Sequence, residues 1–186
     1  MNTVTKRLRK ITVKTVPVYL FGAALIFMVY RTGTNPRIFW SGAAIVLIGE
    51  LLRIWAAGHL KKNAEVTTTG PYAHVKNPLY LGTFLILSGF CVQAWNLRLF
   101  AAGTCVFFFY YAPSKKRRES DRLRERFGAV WDAYDRSVPD YVPRLTPYEG
   151  RGTRRWSAGN CWENSEAGTA LVVLLGTILI GARLRF

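Results

Sequence analysis

Residues 69–82, TGPYAHVKNPLYLG, join a polar, basic loop to a long apolar run. Gly70-Pro71 is a turn signal. Asn77-Pro78 predicts the start of a helix, because Asn is a strong N-cap and Pro is favoured at the first helical position. The free N–H groups and the dipole of a helix N-terminus bind anions readily. We therefore expect this stretch to lie at a membrane surface and to bind the carboxylate end of a cofactor.

The composition predicts a single integral-membrane domain over residues 1–186. Half of the residues are hydrophobic, yet the formal net charge is +15. Apolar and basic blocks alternate along the chain, which is typical of a polytopic membrane protein. The expected fold class is all-α, a membrane bundle of about five transmembrane helices plus a cytoplasmic amphipathic helix. The predicted spans are 16–30, 38–57, 79–95, 99–113 and 167–182, and the predicted cytoplasmic cofactor-site segments are 58–78 and 114–164.

The positively charged side chains predict the orientation in the membrane. With the N-terminus inside, the cytoplasmic segments carry 20 of the 26 Lys and Arg residues, whereas the opposite side carries 5. The positive-inside rule therefore puts the N-terminus and the cofactor site in the cytoplasm. Topology and anionic lipid headgroups account for the net charge, and no base-reading motif indicates a nucleic-acid partner. The first apolar run lacks the cleavage site of a signal peptide.

The cysteines and histidines predict neither a disulfide framework nor a metal site. Cys91 and Cys105 lie in apolar runs and Cys161 lies in a polar loop, without CxxC spacing. His59 and His74 are 15 positions apart and have no Cys or acidic cluster beside them.

One acidic and one basic residue interrupt the second apolar run. Glu50 and Arg53 are three positions apart, so they share a helix face and can pair. Ionisable residues at membrane depth often mark a cavity or a site. One interpretation is structural: the two side chains form an ion pair inside the bundle, or Arg53 extends to the membrane interface. The other interpretation is a role near the active site.

Residues 114–136 follow the pattern of a basic amphipathic helix, which would lie on the membrane surface or cap the bundle. Its apolar positions are Leu123, Phe127, Val130, Trp131 and Tyr134. Glu119 stands among four basic residues near its start. A carboxylate there could accept hydrogen bonds from a ligand's hydroxyl or ammonium groups, and the alternative is a local ion pair.

Two blocks of the sequence resemble the integral-membrane methyltransferases, a family that contains isoprenylcysteine carboxyl methyltransferases and phospholipid N-methyltransferases. The blocks are Gly70-Pro71-Tyr72 with Lys76–Gly82, and Arg118-Glu119 through Phe127-Gly128 to Pro143-Arg144. The resemblance covers about residues 60–144. It implies S-adenosylmethionine as the methyl donor, S-adenosylhomocysteine as the product, and a lipid or prenylated small molecule as the acceptor. Asn77 and Ser120 depart from the family pattern, which has His and Glu there.

The resemblance also implies the residues of the site. The cofactor-binding residues carried over by position are Glu65, Val66, Thr67, Tyr72, Asn77, Pro78, Leu79, Tyr80 and Glu119. Lys115 takes the place of a basic residue that contacts substrate, and is one predicted catalytic residue. His74 is the other, because an amine acceptor must lose a proton and His74 is the only nearby side chain that titrates near neutrality. Tyrosine faces could attract the sulfonium cation.

The predicted function is methyl transfer to a lipid or lipidated acceptor at the membrane interface. This displacement needs an aligned donor and acceptor and the exclusion of water. One alternative is a nicotinamide-dependent membrane reductase of the sterol reductase type. The other is a non-catalytic membrane interaction protein that uses the basic segment 114–164. The sequence leaves the acceptor and the oligomeric state open.

Overall fold

The computed structural model describes residues 35–62, 64–182 and 184, with the backbone alone for Val106 and 110–118. This part of the chain is helical and contains no β-strand, which confirms the predicted all-α class. A 3₁₀ turn, Gly70–Ala73, precedes the second helix, and a π-helical segment, Val106–Tyr111, follows the third. The helices are α1 (Pro36–His59), α2 (Pro78–Gln93), α3 (Leu97–Cys105), α4 (Ala112–Phe127), α5 (Ala129–Ser137), α6 (Ala158–Glu163) and α7 (Glu166–Gly181).

Among these described ranges, α1 is the one helix that is long and apolar enough to cross a membrane. The Asn35 side chain caps it by accepting a 2.9 Å hydrogen bond from the backbone N–H of Arg37. Its 24 residues reach about 36 Å, more than the ~30 Å of a bilayer core. Helices α2 and α7 have 16 residues each. The predicted span 16–30 lies outside the described residues. Of the other four predicted spans, the structure supports 38–57 by length.

Helices α1 and α2 run antiparallel and touch through glycines. Gly42 and Gly49 of α1 face Gly89 and Gly82 of α2, respectively. A Cβ atom added to any of the four would lie 2.6–2.8 Å from the carbonyl oxygen of the glycine opposite. Such close contact between backbones is typical of small residues in membrane helix pairs. It places the N-terminus of α2 beside the C-terminal end of α1.

The fourth apolar run does not end where the sequence predicted. The run was expected to end at Pro113, but the helical backbone continues through Pro113 into α4. A proline inside a regular α-helix removes one hydrogen bond and clashes with the carbonyl four residues earlier. Here the preceding residues, Val106–Tyr111, are π-helical. Their wider turn changes which carbonyl stands opposite the proline ring, and the helix accommodates it.

The predicted amphipathic helix 114–136 is divided between α4 and α5. Gly128 lies between them with φ 51°, a left-handed conformation that glycine adopts without a Cβ penalty. Trp131 and Tyr134 of α5 are buried as predicted, and Phe127 packs against them. Val130 is 64% exposed, so its predicted place on the apolar face is wrong. The break at Gly128 turns α5 relative to α4 and moves this position outward.

Helices α1 and α7 pack antiparallel at a core of Phe39 and Ile180, and each presents an apolar face to its surroundings. Large exposed apolar patches mark interaction or membrane surfaces. The exposed side chains are Trp40, Leu47, Ile48, Leu51 and Trp55 on α1, and Leu171, Val172, Leu174, Leu175, Ile178 and Leu179 on α7.

Candidate functional site

A cavity of about 430 Å³ lies beside the N-terminus of α2, between the loop after α1 and helices α4, α5 and α7. All nine residues that the resemblance assigns to cofactor binding line it, although they come from separate stretches of the chain. They are Glu65, Val66, Thr67, Tyr72, Asn77, Pro78, Leu79, Tyr80 and Glu119.

Tyr80 of α2 and Glu119 of α4 meet in this cavity. The Tyr80 hydroxyl donates a hydrogen bond to Oε2 of Glu119 at 2.7 Å. The bond orients the carboxylate and uses one of its roughly four acceptor positions, so others remain for a ligand. The helix start at Pro78 and the acid at Glu119 therefore face the same space.

The N-terminus of α2 differs in one detail from the prediction. The helix begins at Pro78 as expected, but Asn77 makes no side-chain capping hydrogen bond. Its Nδ2 instead donates to the backbone carbonyl of Asp140 at 3.2 Å. The side chain is turned toward the segment after α5, so it leaves the first-turn N–H groups uncapped. The positive end of α2 is therefore suited to an anionic group of a ligand.

Lys76 ties the turn before α2 to the segment after α5. Its Nζ lies 2.6 Å from Oδ1 of Asp135 and 3.2 Å from Oδ1 of Asp140. Its backbone N–H donates to the carbonyl of Pro139 at 2.8 Å. The side chain is only 7% exposed, and an ammonium group buried to that degree requires such partners. Lys76 thus shapes one wall of the cavity.

Tyr72 is fixed from the opposite side by α5. Its side chain is buried, and this burial raises its pKa well above the usual value, so the phenol stays neutral. Its backbone carbonyl accepts a 2.7 Å hydrogen bond from the hydroxyl of Tyr134, which is itself buried. The contact joins the 3₁₀ turn to α5.

Tyr134→Phe is expected to lower the free energy of unfolding by about 1–2 kcal/mol, because the buried Tyr72 carbonyl loses its donor. Thermal unfolding in detergent measures the change. Tyr148→Phe is the matched control, since the Tyr148 ring lies 5.6 Å from the Tyr134 ring and its hydroxyl makes no hydrogen bond to another described residue. Equal destabilisation by both variants would contradict the assignment.

The predicted Glu50–Arg53 ion pair is not formed. Arg53 instead makes a bidentate pair with Glu166 at the start of α7, with Nη2–Oε1 at 2.7 Å and Nε–Oε2 at 3.2 Å. Its Nη1 donates to the Leu79 carbonyl and the Thr83 hydroxyl. The Glu50 carboxyl oxygens are buried and have no hydrogen-bond partner in the part of the chain that the structure describes. The planar guanidinium can form two parallel hydrogen bonds with a carboxylate that faces it from another helix, as Glu166 does.

Arg53, Asn164 and Glu166 also line the cavity. Asn164 lies in the predicted segment 114–164 and Arg53 was one of two open interpretations, but Glu166 lies outside every predicted site segment. The sequence feature that could have indicated Glu166 is its position immediately before the apolar run 167–182, at the predicted edge of the membrane. No local pattern links it to Arg53, which is 113 positions away.

Of the two predicted catalytic residues, His74 is the one whose side chain the structure describes. It is absent from the lining of the cavity, and its Nδ1 donates to the backbone carbonyl of Arg144 at 2.9 Å. This contact holds the loop, and the role of His74 as a base stays a prediction. Lys115 lies on α4, and its side chain is outside the described residues, so its role stays a prediction.

Within residues 35–62, 64–182 and 184, no group of three or more His, Cys, Asp or Glu side chains is arranged to hold a metal ion. The cysteines in these ranges, Cys91, Cys105 and Cys161, are free thiols. Burial and the nearby Glu166 carboxylate raise the pKa of the Cys161 thiol.

Comparison with known proteins finds two bacterial metal-resistance proteins. The chain is 30% identical over 134 residues to the nickel-cobalt-cadmium resistance protein NccN of Alcaligenes xylosoxydans xylosoxydans, a match covering 67% of this chain and 62% of the relative. It is 30% identical over 124 residues to the cobalt-zinc-cadmium resistance protein CzcN of Cupriavidus metallidurans, covering 66% and 56%. The chain thus spans less than two thirds of each relative. No family model matches it, and no solved structure matches it.

These relatives overturn the function predicted from the sequence. Both are named for resistance to metals, and neither name includes methyl transfer. The predicted function, methyl transfer to a lipid or lipidated acceptor, is therefore wrong. The residues around a cavity define which chemical groups it can hold, and they leave the biological process open.

Proposed function

We propose that this chain acts in resistance to heavy-metal cations, as a membrane protein that binds a small organic ligand at the membrane surface. The names of both relatives support the connection with resistance. The ligand site is supported by one observation, the convergence of a helix N-terminus, the Glu119 carboxylate and two tyrosines on one cavity.

We infer that the chain forms a multi-span helix bundle, with its N-terminus and cavity in the cytoplasm. The length and hydropathy of α1 support one span. The exposed apolar faces of α1 and α7 support contact with lipid, because moving apolar surface from water into hydrocarbon is favourable. The excess of Lys and Arg in the polar segments supports the orientation.

The ligand that we propose is S-adenosylmethionine, with S-adenosylhomocysteine as a related ligand, and no reaction is assigned to it. The first turn of α2 would hold its carboxylate. Glu119 would accept hydrogen bonds from its ammonium or ribose hydroxyl groups. The neutral phenol of Tyr72 lines the same space and could attract a sulfonium.

Isothermal titration of S-adenosylmethionine into the full chain in nanodiscs tests the ligand. Glu119→Gln is expected to weaken binding about 10- to 100-fold, since hydrogen bonds to a charged group contribute about 1.5–3 kcal/mol. The amide still accepts the Tyr80 hydrogen bond, so the change isolates the charge. Glu125→Gln is the control, because Glu125 is exposed on the same helix and outside the cavity. Absence of binding by the unaltered chain would reject this ligand.

Growth of a host strain on graded cobalt, nickel, cadmium and zinc salts tests the process. The unaltered chain and Glu125→Gln are expected to raise the inhibitory concentration of at least one salt, and Glu119→Gln to lose that effect. Equal inhibition with the unaltered chain and with an empty vector would reject the connection with resistance.

A further inference from the structure

The segment from Trp156 to Glu166 crosses the C-terminal end of α1 and bonds to the carbonyls there. The last carbonyls of any helix lack partners within the helix. Asn164 Nδ2 donates to the carbonyls of Ala57 and Leu60, at 3.1 and 3.0 Å. Earlier in the segment, Asn160 Nδ2 donates to the carbonyl of Gly58, and both Trp156 Nε1 and Cys161 Sγ donate to the carbonyl of Ile54. The segment therefore supplies further donors to the C-terminal end of α1, in addition to the backbone N–H of its C-cap, Leu60.

The same segment ends at the Arg53–Glu166 pair, which uses every donor of the guanidinium. Nε and Nη2 bind the carboxylate, while Nη1 donates to the Leu79 carbonyl at 3.3 Å and to the Thr83 hydroxyl at 2.6 Å. Arg53 therefore joins α1, the first turns of α2 and the start of α7. The side chains of Arg53 and Glu166 are 14% and 5% exposed.

We infer that residues 156–166 form a clasp that completes the ligand cavity, and that Glu166 is a positioning residue that holds the clasp closed through Arg53. The inference rests on the proposed function, because the clasp supplies Asn164 and Glu166 to the wall of the proposed ligand site. Ligand binding should then favour the docked clasp, and a docked clasp should favour the ligand, since coupling between two equilibria is reciprocal.

Glu50 gives Arg53 an alternative partner and makes this inference testable. It lies three residues earlier on α1 and is buried, and among the described residues its carboxyl oxygens have no hydrogen-bond partner. Within residues 35–62, 64–182 and 184, the charged groups that interact with it are Arg53 and Glu166. If Glu166 loses its charge, the guanidinium can turn to Glu50. We therefore expect Glu166→Gln to release the clasp while α1 and α2 stay folded.

The accessibility of Cys161 reports the state of the clasp. The reaction of a water-soluble maleimide with Cys161 is followed in the full chain in nanodiscs by peptide mass spectrometry. Glu166→Gln and Arg53→Gln are each expected to raise the rate on the order of tenfold, because breaking a buried pair strongly disfavours the paired state. Glu163→Gln is the control, since Glu163 is exposed on the same segment.

The two variants separate release of the clasp from a local effect of charge. Removing the Glu166 carboxylate favours the Cys161 thiolate, whereas removing Arg53 leaves the carboxylate uncompensated and disfavours it. Faster labelling in both variants therefore supports release. Labelling that is unchanged in both, or faster in Glu166→Gln and slower in Arg53→Gln, would overturn the inference.

Saturating S-adenosylmethionine distinguishes the clasp from the proposed ligand. The ligand is expected to slow labelling several-fold in the unaltered chain and in Glu163→Gln, and to have little effect in Glu166→Gln. Equal slowing in all three would overturn the role of the clasp in the site. If the ligand binds none of them, the proposed ligand is rejected, and the rates without ligand still decide whether Glu166 holds the clasp.

Discussion

Gly89→Val is expected to lower the free energy of unfolding by about 3 kcal/mol, or to prevent α1 and α2 from packing. A Cβ at Gly89 would lie 2.7 Å from both the Gly42 carbonyl oxygen and the Val46 backbone nitrogen. These are backbone atoms of a helix, so no rotamer change relieves the overlap, and the helices must move apart. Unfolding in mixed detergent micelles, followed by tryptophan fluorescence, measures the loss.

Gly168→Val is the matched control for this prediction. Gly168 is also in an apolar helix, α7, but a Cβ there would meet nothing within 4 Å. The same substitution changes helix propensity equally at both positions, so the difference between them isolates the contact between α1 and α2. A comparable loss in both variants would show that the glycine contact is not what holds the pair together.

The parts of the fold that could be predicted from the sequence depend on local signals. The start of α2 at Pro78 follows from the fixed φ of proline and its missing N–H, which suit the first helical position. The apolar runs mark α1, α2 and α7, since the period and length of such runs are read within a short window. Six of the nine cavity residues were named from the two motif blocks and three, Glu65–Thr67, from the segment before the first block. The helical hairpin between the blocks brings them to one space.

The parts that could not be predicted depend on contacts between distant residues. Glu50 and Arg53 share a helix face, and spacing alone favours their pairing. Arg53 nevertheless binds Glu166, because a carboxylate facing the planar guanidinium accepts two parallel hydrogen bonds. Asn77 likewise has the sequence of an N-cap, but its side-chain amide instead donates to the Asp140 carbonyl, a partner that is present only when α5 is docked.

The sequence motifs also could not predict the biological process in which the chain takes part. A helix N-terminus, a carboxylate and tyrosines together specify the charge and shape of a ligand. Many processes use ligands of that kind, and function resides in a site rather than in a fold. The names of NccN and CzcN supply information about the process that the cavity residues do not contain.

Lys76→Met is expected to lower the free energy of unfolding by about 3–5 kcal/mol, as is typical when one partner of a buried ion pair is removed. Methionine keeps much of the apolar stem and removes the ammonium that lies between Asp135 and Asp140. Both carboxylates are 24% exposed, so water can partly replace the lost ammonium and the loss should fall toward the lower end. Thermal unfolding in nanodiscs measures it.

Arg124→Met provides the comparison on the neighbouring surface. Arg124 pairs with Asp132 at 2.8 Å, but these side chains are 55% and 40% exposed, so unfolding is expected to be unchanged. Lys76→Met should also weaken S-adenosylmethionine binding, because Lys76 fixes the turn that aims Pro78 at the cavity. If Lys76→Met lost affinity with no loss of stability, Lys76 would be a direct ligand contact, and the structural role argued for its ion pairs would be wrong.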